Sequence, residues 1–121
     1  MPVNNYNMIA DYNFWIKFDE WNNEQMTALL LGYNPIYFDR KLIEELKHGI
    51  VETSMNDRDI DILTSEYDRT YALILSSIEA GTFKSRATPL KCYKWALNKG
   101  VPIFKEFHEA IKNRASASER S

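Results

Sequence analysis

The sequence predicts an all-α fold, a compact orthogonal bundle of five or six short helices around one long central helix, and three observations predict it. All four glycines, Gly32, Gly49, Gly81 and Gly100, follow stretches with helical apolar spacing, where a left-handed residue without a Cβ ends a helix. Pro35 and Pro102 come within three residues of Gly32 and Gly100 and bar the chain from resuming the helix at once. Ile60, Leu63, Tyr67, Tyr71, Ile74, Leu75 and Ile78 are spaced 3, 4, 4, 3, 1 and 3, which gathers them on one stripe of a long helix.

At the N-terminal end, Phe14, Phe18 and Trp21 have helical spacing while Tyr12, Phe14 and Ile16 equally suit a strand, and a helix or turn-rich segment is expected. Asn22, with Gln25 three positions later, forms a capping box for an apolar helix over Met26 to Leu31. Asp39 caps a second helix, with Leu42, Ile43 and Leu46 on one face and Gly49 at its end. A polar loop near Glu52 to Asn56 leads to the long helix, which Asn56 or Asp57 caps and whose early aspartates suit the positive end of the helix dipole.

Thr88 followed by Pro89 is a helix start, a hydroxyl cap before a residue that lacks the N–H no partner would need. The helix over 89–99 carries Leu90, Tyr93 and Leu97 on one side and Cys92, Trp95 and Ala96 on the other, so it is expected to lie between neighbours. The last helix starts near Pro102 and uses Phe104, Phe107 and Ile111.

A chain of 121 residues, 45% hydrophobic and 26% charged, has the size and composition of one globular domain. The domain is expected over 1–114, with a flexible tail at 115–121 that has nothing to bury. No apolar run approaches the roughly 20 residues that cross a bilayer, and the start lacks the layout of a signal peptide, so a cytoplasmic location away from membranes is expected. Cys92 is the only cysteine, which excludes an internal disulfide and suits a reducing compartment.

The net charge of −2 conceals a division. Up to Gly81 there are six basic residues against fourteen acidic, a net of −8; from Thr82 onward there are nine against three, a net of +6. A basic end of this kind steers anions at long range and points to a partner or to nucleic acid.

Two stretches resemble a known pattern. Trp21 with Glu24-Gln25-Met26-Thr27-Ala28-Leu29-Leu30-Leu31-Gly32-Tyr33-Asn34-Pro35 resembles W…EAALLLGxDP, and Trp95-Ala96-Leu97-Asn98-Lys99-Gly100-Val101-Pro102 resembles WAxxKGxPxP. Both patterns are found in small uncharacterised helical proteins of bacteria and phages. Asn34 stands where Asp is usual in them, and Phe104 where the second Pro would be. The resemblance covers roughly residues 14 to 110 and implies architecture and a bacterial or phage origin; because its motifs are caps and core residues, it implies no activity.

Candidate chemistry is sparse. Asp57, Asp59 and Asp61 open like a calcium loop, but Ile62 replaces the glycine of its sixth position and Asp68 the glutamate of its twelfth, so they read as helix-start acids. His48 and His108 have no neighbour at metal-ligand spacing, and Glu44 and Glu45 point to different sides of a helix. Cys92 sits among Tyr93, Trp95 and Ala96 and reads as buried and inert. The glycines are dispersed, so no phosphate loop forms; no enzyme, cofactor or metal is expected.

Two surfaces remain. Tyr6, Tyr12, Phe14, Trp15, Phe18 and Trp21 are more rings than a short segment needs for its inward side, and they are either the rim of the core or a docking patch. The second surface is the basic third, where the helix over 89–99, Gly100-Val101 and the last helix follow the plan of a helix-turn-helix. Lys84, Arg86, Lys91, Lys94 and Lys99 are then available to phosphates, and Lys105, Lys112 and Arg114 lie on the second helix, where Glu106 and Glu109 oppose them. The function expected is a non-enzymatic interaction or regulatory module that binds another protein or itself through Tyr12, Trp15, Phe18 and Trp21, with head-to-tail pairing permitted by the charge division. The alternative is nucleic-acid binding through the basic third.

Overall fold

The computed structural model describes residues 9–120, with side chains through Arg114. It is mostly helical, with six helices among the described residues and one small two-stranded sheet. Tyr6 lies outside the described residues.

Helix α1 (Tyr12–Trp15) is a single turn capped by the Asp11 carboxylate. Strand β1 (Trp21–Asn22) leads directly into α2 (Asn23–Leu31), and Asn22 and Gln25 exchange the two bonds of the expected capping box at 2.9 and 2.8 Å. Helix α3 (Arg40–Lys47) starts at Asp39, whose carboxylate accepts the Leu42 N–H at 2.8 Å. Helix α4 (Asp57–Glu79) starts at Asn56, and at 1.5 Å per residue its 23 residues span about 34 Å. Strand β2 (Arg86–Ala87) precedes α5 (Pro89–Lys99), which Thr88 caps, and α6 (Lys105–Arg120) closes the chain. The helical backbone of α6 runs through Arg120.

All four glycines have positive φ, as helix stops require. Gly32 does more than end α2. A Cβ built on it would overlap one edge of the Phe104 ring, so the segment entering α6 rests on bare backbone there, and the Phe104 N–H donates to the Leu30 carbonyl at 3.0 Å.

Apolar side chains form two clusters. One joins Tyr12, Trp15, Trp21, Met26, Leu29, Leu30, Ile74, Cys92, Trp95 and Phe107; the other joins Ala28, Phe38, Ile43, Leu46, Leu63 and Tyr67. Helices α2 and α4 take part in both, α2 through Ala28 on one side and Met26, Leu29 and Leu30 on the other. The buried stripe of α4 is narrower than its apolar spacing implies. Leu63, Tyr67 and Ile74 are buried with Thr64, Thr70 and Ser77, while Leu75 is exposed because its position, one past Ile74, turns it 100° off the stripe.

The N-terminal segment is a helical turn at Tyr12–Trp15 followed by turns through residue 19, as expected, and Trp21 and Asn22 beyond it pair antiparallel with Ala87 and Arg86. Two further expectations are corrected. Helix α5 is covered fully on one side and only in part on the other: Cys92, Trp95 and Ala96 are buried and Tyr93 is half-buried against Phe107, whereas Leu90 and Leu97 are 47% and 53% exposed. Finally, the aromatic docking patch is core. Tyr12, Trp15 and Trp21 are buried, with their polar tips satisfied inside: the Tyr12 hydroxyl donates to the Leu29 carbonyl and the Trp21 indole to the Trp15 carbonyl at 3.0 Å. Tyr12 stacks on Phe107 with centroids 5.5 Å apart, and half-buried Phe18 stacks on Trp15 at 4.6 Å. Only Phe14 of this group of rings is mostly exposed among the described residues.

The second cluster contains one unsatisfied polar atom. The Tyr67 hydroxyl is buried without a hydrogen-bond partner among the described residues, and burial, with a contribution from the Glu24 carboxylate, pushes its pKa up. A buried donor left unpaired costs about 1–3 kcal/mol. Tyr67→Phe is therefore expected to raise stability by about 1 kcal/mol in urea unfolding at unchanged slope; a loss of that size would mean the hydroxyl is bonded.

Candidate nucleic-acid interface

The basic third assembles at the end of α4. Gly81 turns the chain back, and the Ser77 carbonyl accepts the Thr82 and Phe83 N–H groups at 3.0 and 3.2 Å and the Thr82 hydroxyl at 3.1 Å. The Ser77 hydroxyl accepts the Trp95 indole N–H at 3.1 Å, so one buried serine fixes both the loop and the facing side of α5. Phe83 lies against Trp95, with centroids 5.3 Å apart and planes within 15°. The β1–β2 pairing sets Arg86 opposite Asn22 and continues into the Thr88 cap.

Helix α5 adds Lys91, Lys94 and Asn98, spaced 3 and 4 and therefore on one face with Trp95. These elements border an open surface cavity of about 390 Å³ lined by Thr82, Phe83, Lys84, Arg86, Ala87, Lys91, Lys94, Trp95 and Asn98. Four of the lining side chains are cationic and none is acidic. Among the described residues, none of these four cations forms a salt bridge, and the first turn of α5 carries no acid to oppose the positive end of its dipole. The cavity is a concentrated positive site on a chain of net charge −2.

The structure thus divides the eight basic candidates. Lys84, Arg86, Lys91 and Lys94 share one cavity. Lys99 and Lys112 are exposed away from it, and Lys105 stands 4.0 Å from Glu109 one helical turn on. The Arg114 guanidinium donates to the Ile16 carbonyl, tying α6 to the segment after α1. Phe107, Ala110 and Ile111 commit one face of α6 to the core. Phe83 and Asn98 were missed in the sequence; Phe83 has no periodic partner in its loop, whereas Asn98 was legible from its helical spacing with Lys91 and Lys94.

The other candidate groups fall elsewhere. Cys92 is buried, and burial pushes its thiol pKa up, away from the reactive thiolate. His48 is exposed, 3.8 Å from Glu44, and the ring Nδ1 of His108 is hydrogen-bonded to the Tyr93 hydroxyl at 2.7 Å. Among the described residues, no group of three or more His, Cys, Asp or Glu side chains is placed to hold a metal ion. No helix among them is long and apolar enough to cross a membrane. The chain matches no known family model, no curated protein and no solved structure.

Proposed function

We propose that this chain is a non-enzymatic binding module, cytoplasmic and of bacterial or phage origin, whose basic C-terminal third binds nucleic acid. The observation that carries the reading is the gathering of Lys84, Arg86, Lys91 and Lys94 around one cavity with no carboxylate in its lining. Phosphates are the natural counter-charge for such a site, since binding them releases condensed counterions. The bundle is read as orthogonal around α4, and the exposure of Lys84, Arg86, Lys91, Lys94 and Asn98 leaves the loop after α4 and the outer face of α5 open to a strand.

Salt dependence tests this reading. Four phosphate contacts predict a slope of about −3 in log K against log salt, with micromolar binding to an oligonucleotide at about 50 mM salt. Lys91→Glu/Lys94→Glu is expected to abolish that binding and leave the circular dichroism spectrum unchanged, because both side chains are exposed. Absence of binding by the parent chain at low salt, or binding by the double variant at parental strength, overturns the reading.

A second reading, a module that docks another protein or a second copy, is favoured by a different observation. With the N-terminal rings buried, its surface moves to a groove of about 570 Å³ bordered mainly by Ile16, Phe18, Pro89, Leu90 and Ile111. Light scattering across concentrations decides its self-association form, which a constant monomer mass removes.

A further inference from the structure

We propose that the basic cavity is a receptor for single-stranded nucleic acid, with Phe83 as the platform on which one base stacks. This rests on the nucleic-acid reading above and adds what kind of strand is taken and by which residue.

Cations alone would suit any polyanion, and the aromatic ring in their midst is what narrows the class. Phe83 lies nearly parallel to Trp95, is only half-buried, and borders the cavity together with the four cations. Its place is anchored through Ser77: the Phe83 backbone N–H donates to the Ser77 carbonyl, and the indole of the stacked Trp95 donates to the Ser77 hydroxyl. A fixed aromatic face flanked by cations is the arrangement that grips a strand by stacking its bases while neutralising its backbone. Asn98, exposed at the same wall, offers an amide donor and acceptor for a base edge.

Size and shape argue against a duplex. At about 390 Å³ the cavity falls at the lower end of ligand sites, which run from about 300 to 1,000 Å³, so it is sized for one nucleotide. A paired base has both faces covered by its neighbours and reaches Phe83 only if it is extruded, which costs unstacking energy that an unpaired base does not face. Cations set around a concavity also differ from a protruding helix that enters a major groove.

The test compares three probes by fluorescence anisotropy: a short oligodeoxythymidylate, its duplex with oligodeoxyadenylate, and inorganic polyphosphate, which carries charge without bases. The single strand is expected to bind at least about tenfold more tightly than the duplex or the polyphosphate. Phe83→Ala is expected to weaken single-strand binding by about tenfold or more and to leave polyphosphate affinity unchanged, which also reports an intact site. Phe83→Tyr, which keeps the stacking face, restores the single-strand preference. Equal affinity for single strand and duplex, or a Phe83→Ala loss that is the same for polyphosphate, overturns the stacking role while the nucleic-acid reading stands. Failure of all three probes to bind the parent chain overturns both.

Discussion

Gly32→Ala is expected to destabilise the protein by about 2–5 kcal/mol, from two separable causes. The first is backbone conformation: φ at Gly32 is 95°, and forcing a residue with a Cβ into the left-handed region costs about 1–2 kcal/mol. The second is space. The new methyl would overlap Cγ, Cδ1 and Cε1 of Phe104, one edge of a rigid ring that includes the atom joining it to Cβ, so the whole side chain must shift to clear it. Phe104 cannot retreat easily, since its N–H is held by the Leu30 carbonyl and its ring stacks with Tyr12 at 6.2 Å. Overpacking of this kind costs about 1–3 kcal/mol.

Gly100→Ala provides the control. Its φ of 72° imposes a similar backbone cost, yet nothing lies within 4 Å of a Cβ there. Gly100→Ala is therefore expected to lose only about 1–2 kcal/mol in urea unfolding. Gly32→Ala should be partly rescued by Phe104→Ala in the same chain, a coupling that a double-mutant cycle reads directly. Equal losses at the two glycines would show that Phe104 yields and that the close approach is not a constraint.

Trp21→Ala is expected to cost about 3–5 kcal/mol, enough to leave a domain of ordinary stability largely unfolded on mild warming. Trp21 is completely buried, meets Phe107 edge-on at 5.3 Å, and donates its indole N–H to the Trp15 carbonyl. Its backbone also pairs with Ala87, one residue from Arg86, so the void would open next to the strand that carries one of the four cavity cations. Trp21→Phe keeps an aromatic ring and loses only the indole bond, since the Trp15 carbonyl still accepts the Phe18 N–H at 3.1 Å, and should cost less than Trp21→Ala, about 1 kcal/mol. A Trp21→Ala variant within about 1 kcal/mol of the parent would mean that the ring is not the keystone its burial implies.

What was legible in the sequence was chiefly punctuation. Asn22 with Gln25, Asp39, Asn56 and Thr88 with Pro89 act where local chemistry places them, because a cap bonds to N–H groups only two or three residues away. Contacts between distant segments were not legible. The β1–β2 pairing is two residues long on each side, too short to show a period of two, and its partners are far apart in sequence. Apolar character also misled at Leu75, Leu90 and Leu97, since spacing says which residues share a face and not whether a neighbour covers it. The N-terminal rings were counted as too many for one short segment, but two of them meet partners from other elements, Tyr12 from α6 and Trp21 from both α1 and α6. Of the basic site, the four cations were named from charge alone; their convergence required the turn at Gly81 and the Ser77 bonds.

The two apolar clusters also impose an order on synthesis. The cluster built on α2, α3 and α4 draws its buried residues from between Ala28 and Tyr67, so a ribosome that has made little more than half the chain has already supplied them all. The other cluster joins Ala10 and Tyr12 to Phe107, Ala110 and Ile111, and the Ile16 carbonyl waits for Arg114. The packing around Ala10 and Tyr12 is therefore complete only after residues 107–114 have been made, well after the cluster of α2, α3 and α4 has all its members.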